Sequence, residues 1–175
     1  MNKVYRSKYE ACPYLCETCD DPNNLSCEFG LLIDELASTT GLLRSMLSDE
    51  TLRKELQFVC KIFYHLSPAL REGIAATKDD LEQLEETFLR HKKALDGRKP
   101  MIVLPMGCQS ASLAHVLRVK CKALVRLIYR HHHLGNDLDS LLVDFANLLS
   151  GYFFYLAIAL NAQNGVEEIE YERIR

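Results

Sequence analysis

The chain has 175 residues, of which 48% are hydrophobic and 26% charged, enough for one domain with its own core and too apolar for a disordered chain. Its net charge of −3 argues against the bulk nucleic-acid binding of a strongly basic protein, so any cationic function must be local. The first eight residues are polar rather than a signal sequence, and the longest apolar run, 152–160, is about nine residues against the ~20 of a membrane helix. The expectation is a cytoplasmic protein with no nucleic-acid and no membrane partner.

Residues 1–28 hold no helical or strand period and form an irregular, Cys-rich segment ahead of a bundle domain over 29–175. Seven cysteines occur, and four of them crowd together as Cys12, Cys16, Cys19 and Cys27. In a reducing compartment such a cluster reads as metal-binding or redox-active before it reads as disulfides. The spacing Cys12-x3-Cys16-x2-Cys19-x7-Cys27 can supply four thiolates, and C-x2-C is a usual half-site for Zn or for Fe in a cluster. Free or oxidised thiols are the alternative.

Five helical patterns follow. The first starts at Gly30, with Leu31, Leu32, Leu36, Leu42, Leu43 and Leu47 as its apolar set and Asp34 and Glu35 near its start, where the dipole favours acids. The second, 49–66, takes Ser48 as N-cap and ends at Ser67-Pro68. The third, 78–95, is capped by Thr77 with Asp80 in the capping-box position, and turns Leu81, Leu84, Phe88 and Leu95 inward. After a turn at 96–100 comes the fourth, 109–133, and after Leu134-Gly135-Asn136 the fifth, 138–161. The fifth is apolar on most sides, so it should lie centrally or in an interface. Residues 166–171 read as a short edge strand or an ordered tail. The whole is an all-α five-helix bundle.

The fourth helix organises the rest. Leu113, Val116, Leu117, Leu124 and Leu127 suit a core face, while Arg118, Lys122 and Arg126 recur every four residues and form one cationic ladder. Such a ladder fits a polyphosphate or an acidic partner, and equally an ordinary solvated face. His131-His132-His133 ends the helix, where imidazoles suit the dipole better than a shared metal.

Several segments, in order, carry a resemblance: Gly30-Leu31-Leu32-Ile33-Asp34-Glu35-Leu36; Ile102-Val103-Leu104-Pro105-Met106-Gly107; the run from His115 to Arg126; Asn147-Leu148-Leu149-Ser150; and Val166-Glu167-Glu168-Ile169-Glu170-Tyr171. They resemble the G-x-x-D-E-L, F-x-L-P-G-G, H-x-A-R-x-x-x-R-R-A-E-R, N-R-L-S and V-E-E-x-x-W segments of the corrinoid (ATP:cobalamin) adenosyltransferases. The likeness spans 29–171. The sequence departs from the pattern at Ser7–Tyr14, where the family has a glycine-rich nucleotide loop, at Ala123 and Val125 within R-R-A-E-R, and at Ile102 in place of phenylalanine. The ethanolamine-utilisation branch also lacks that loop; its L-R-x-K segment resembles Leu117-Arg118-Val119-Lys120, and its C-x-x-C resembles Cys16-Glu17-Thr18-Cys19.

The resemblance implies transfer of the 5′-deoxyadenosyl group from ATP, with Mg, to the cobalt of a reduced corrinoid such as cobalamin, in a homotrimer. By it, Asp34, Arg118 and Asn147 are catalytic, with Asp34 pairing Arg118 across a subunit boundary. Lys8, Lys122 and Arg126 meet the triphosphate, and Ile102, Phe153 and Phe154 wall the corrinoid. Plain alternatives stand beside these roles: Asp34 serving its helix N-terminus, Asn147 buried and bonded to a neighbouring helix, the apolar three as core, and His115 as a satisfied interface histidine. A non-catalytic relative that binds a corrinoid, a nucleotide or a protein partner is the alternative function.

Overall fold

The computed structural model describes residues 8, 24–94 and 102–172. Among these the chain forms five helices: α1 Leu25–Ser45, α2 Glu50–Leu66, α3 Lys78–Lys93, α4 Gln109–His133 and α5 Ser140–Gln163. Local chemistry starts most of them. Asn24 Oδ1 accepts the Ser26 N–H at 3.0 Å, Asp49 Oδ1 accepts those of Thr51 and Leu52, and Asp139 Oδ1 accepts that of Leu141. Thr77 and Asp80 close a full capping box at α3. So the second helix is capped by Asp49 rather than Ser48. The first begins five residues before Gly30, inside the segment read as irregular, because Asn24 supplies a cap and Leu25, Cys27 and Phe29 bury.

The apolar phase of α1 also differs from expectation. Leu31 and Leu42 are more than half exposed, and the buried stripe runs Leu25, Phe29, Ile33, Leu36, Ala37, Thr40, Leu43. A row of leucines offered two faces, and packing against α2 and α4 chose the one with Phe29 and Ile33. On α4, Leu117, Leu124 and Leu127 bury as expected, but Val116 is 45% exposed and Leu113 only half-buried. Ala111, Ala114 and Cys121 take the core positions instead, small side chains that let α4 lie close along α5.

The α4–α5 pair is the centre of the bundle. α1 packs on α4 and α2, and α3 packs mainly on α5. By length and composition α5 is long and apolar enough to cross a bilayer, which the short-run criterion missed because Ser150, Gly151 and Asn147 interrupt its apolar stretches. Half of its most apolar window is buried within the bundle, as a central helix requires. Beneath it lies one buried polar cluster. The Glu55 carboxylate of α2 accepts from Tyr152 Oη of α5 at 2.8 Å and meets Arg90 and His91 of α3, each at 2.5 Å. Burial, then the Glu55 charge, push the Tyr152 hydroxyl well above its ordinary pKa, so it stays a donor. This cluster locks α2, α3 and α5 together.

Of the two alternatives for residues 166–171, an edge strand and an ordered tail, the structure has the ordered tail. Val103 and Glu170 form an isolated antiparallel bridge, flanked by Leu104 N–H to Ile169 O at 2.8 Å and Tyr171 N–H to Ile102 O at 2.7 Å.

Candidate active site

The cationic ladder lies on the outer side of α4, beside α5, and its three members differ. Arg118 is half-buried, and its Nε is buried without a hydrogen-bond partner among the described residues. Lys122 is exposed but held: its Nζ donates to Asn147 Oδ1 at 2.9 Å, while Asn147 Nδ2 donates to Val143 O at 3.0 Å. Arg126 is exposed on the next turn. Asn147 is therefore not a buried polar residue. It is exposed, and it orients a cation on the neighbouring helix.

His115, one turn before Arg118, is 3% exposed, and neither ring nitrogen has a partner among the described residues. It packs edge-on to Phe154 at 6.2 Å. It is buried, then, but not satisfied. Burial, and then the Arg118 charge, lower its pKa, so the imidazole is held neutral. Two side chains about one turn apart on α4, near enough for the Arg118 charge to act on His115, thus carry unmet hydrogen-bonding capacity among the described residues. That is unusual for a finished surface.

The remaining candidates scatter. Asp34 is half-buried on α1 and accepts a 3.4 Å hydrogen bond from Tyr64 Oη; no ion pair joins it to Arg118 among the described residues. Lys8 is exposed. Ile102 is 73% exposed beside the entry to α4. Phe153 corrects the expectation of an apolar wall: it is fully buried, stacked on Phe63 at 6.4 Å and edge-on to Tyr152 at 5.0 Å. It is core, because its position on α5 turns it towards α2. Phe154, one residue on, is the half-buried aromatic that reaches His115.

Of the four clustered cysteines, Cys12, Cys16 and Cys19 lie outside the described residues, and Cys27, in the first turn of α1, is disulfide-bonded. Among the described residues no three His, Cys, Asp or Glu side chains gather as a metal site. Cys60, Cys108 and Cys121 are free thiols, and burial raises the pKa of Cys60 and Cys121, which disfavours their thiolate forms. Among the cavities that described residues line, two lie well away from the ladder. One, of about 450 Å³, sits between α2 and α3 above Glu55; the other, of about 380 Å³, lies at the bundle end near Arg71, His131 and Asp137.

Sequence reasoning missed His115 as an unsatisfied group, since burial and partner count are tertiary properties. Lys120, whose charge the sequence sets near the ladder, pairs with Glu35 and so belongs to the α1–α4 contact.

The chain resembles known proteins in sequence and in fold. The chain is 29% identical over 163 residues to the corrinoid adenosyltransferase of Bacillus subtilis (strain 168), covering 87% of this chain and 83% of that protein. Its fold is similar to solved structures of a PduO-type ATP:corrinoid adenosyltransferase from Lactobacillus reuteri. A phenylalanine-to-alanine variant, complexed with cobalamin and ATP, has a TM-score of 0.72 at 22% identity, covering 86% of this chain and 88% of that one. An arginine-to-lysine variant complexed with ATP has a TM-score of 0.71 at 24% identity, covering 86% and 89%. The family model described as cobalamin adenosyltransferase matches residues 26–160, from the first turn of α1 to the end of α5 and across the whole ladder. This chain is therefore a member of the cobalamin adenosyltransferase family.

Proposed function

We propose that this protein transfers the 5′-deoxyadenosyl group of ATP to the cobalt of a reduced corrinoid. In that reaction the electron pair of Co(I) forms a bond to C5′, the C5′–O bond breaks, and triphosphate leaves with that oxygen. Charge therefore builds on the triphosphate, and fixed cations at one-turn spacing stabilise it. The observation that carries the reading is the ladder itself: Arg118 with an unpartnered Nε, Lys122 aimed by Asn147, and Arg126 beyond them. Arg118 offers planar donors for bidentate contact, Lys122 a point charge held in place, and Lys8 a further cation from the N-terminal segment. Neutral His115 can donate or accept without adding charge. Ile102 supplies the exposed apolar side chain that a corrinoid face can rest on.

The reading includes a homotrimer in which Asp34 of one copy pairs with Arg118 of the next. Its support is that Leu31, Val116 and Val119 stay about half exposed on the outer sides of α1 and α4, next to buried groups lacking partners. ATP enters as its Mg²⁺ complex, carried by its own phosphates. A Zn or Fe ion at Cys12, Cys16, Cys19 and Cys27 needs all four as thiolates, and the disulfide at Cys27 does not fit that, so no step runs through such a metal. A cytoplasmic setting belongs to the same reading; three free thiols among the described residues support it, and the disulfide at Cys27 speaks against it.

The test is turnover. Protein incubated anaerobically with Co(I) corrinoid and ATP is expected to yield the adenosylated corrinoid and triphosphate, followed by the change in corrinoid absorbance. Corrinoid binding without product marks a non-catalytic relative and overturns the proposal. A monomer in light scattering at working concentration removes the shared-site arrangement.

A further inference from the structure

The last turn of α5, the loop 102–108 and the tail 166–171 meet at one side chain, Asn161, which is 1% exposed. Its Oδ1 accepts the Cys108 N–H at 3.0 Å. Its Nδ2 donates to Met106 O at 3.0 Å and to Glu168 Oε1 at 2.9 Å. One amide thus spends its acceptor and both donors on two different segments. Its own carbonyl accepts the Val166 N–H at 2.9 Å.

The loop passes so close that residue 107 must be glycine. Gly107 has φ +135°, and a Cβ there would sit 2.0 Å from Asn161 Oδ1. Cys108 is the N-cap of α4 and makes no side-chain cap; from 53 residues away Asn161 accepts the N–H of the cap residue itself, one of the helix's otherwise orphaned donors. At the other end of the loop, the tail holds Ile102 through Tyr171 N–H and Leu104 through Ile169 O. Ile102 itself projects 73% exposed. A side chain with so little packing is placed by its backbone, and this backbone is fixed from both ends.

We propose that Asn161 is a positioning residue for the corrinoid side of the site: through Met106, Cys108 and Glu168 it sets the loop from which Ile102 projects. The inference rests on the adenosyltransferase reading. It adds a role for a residue that touches neither substrate.

The experiment compares wild type with Asn161→Ala, Asn161→Asp and Gly107→Ala in steady-state adenosylation, varying corrinoid and ATP separately. Asn161→Asp keeps the acceptor for Cys108 N–H but sets a carboxylate oxygen against Met106 O and Glu168 Oε1, so it disturbs the loop at least as much as alanine; Glu168→Ala, run alongside, removes only the tail contact and guards against variants that do not fold. The expected result is a KM for corrinoid raised about tenfold or more, as for a misplacement of about 1 Å, with the KM for ATP within about twofold and the Leu104 and Cys108 amides exchanging faster. Kinetic constants unchanged despite faster amide exchange overturn the proposal. So does an equal shift in both KM values with a lower Tm, which marks a merely structural role. Wild-type protein that neither turns over nor binds corrinoid overturns the adenosyltransferase reading and the inference with it. An active wild type with normal variants sinks the inference alone.

Discussion

Replacing Arg118 with alanine separates the site from the scaffold. The Arg118 Nε has no partner among the described residues, and the side chain is half-buried rather than core. Truncation therefore removes no intramolecular hydrogen bond from that atom. It also relieves a buried unpaired donor, whose cost is ~1–3 kcal/mol. The stability change is expected to be small, with Tm moving by a few degrees at most. Catalysis should respond very differently. A preorganised donor facing developing negative charge contributes ~2.7–4 kcal/mol to the transition state, or ~100- to 1,000-fold in kcat. Each tenfold loss corresponds to about 1.4 kcal/mol. The assay is adenosylation at saturating ATP and corrinoid, with thermal melting alongside. Arg118→Lys should recover only part of the rate, because an ammonium cannot reproduce planar bidentate contact. A loss below about tenfold with an unchanged melt would refute the reasoning, since Arg118 would then be a solvated surface charge. A large fall in Tm would refute it differently, by making the residue structural.

Other outcomes follow from the same geometry. Asn147→Ala should lower kcat/KM by about tenfold in wild type and by little in a Lys122→Ala background, since the two act as one unit across α4 and α5; additive losses would dissolve the pair. The folded pKa of His115 lies below its ordinary 6.5, so its stabilising effect is fully present above 6.5 and declines as pH falls towards the folded value. Melts between pH 7.5 and about 5 should therefore show a steeper decline for wild type than for His115→Gln; parallel curves would remove the assignment. Tyr152→Phe should cost ~1.5–3 kcal/mol in denaturant unfolding, because the hydroxyl donates to the buried Glu55 carboxylate, and should leave both KM values unchanged.

The local chemistry of the chain already specified much of the fold. Helix number, the Thr77–Asp80 box and the span of α4 follow from caps and period, which act within a few residues. The spacing of Arg118, Lys122 and Arg126 was likewise determined before any packing, because four residues make one turn. Tertiary structure decided what those residues do. Which leucines of α1 bury depended on the neighbours α2 and α4, since Leu31 and Leu42 match a helical period as well as Leu36 and Leu43 do. That Phe153 is core while Phe154 borders the site turns on a single residue of rotation, which composition cannot resolve. The Lys122–Asn147 contact joins positions 25 residues apart, and Asn161 reaches Cys108 across 53. Such partnerships have no signature in local sequence, because they exist only once the helices have been brought together by burying their apolar faces.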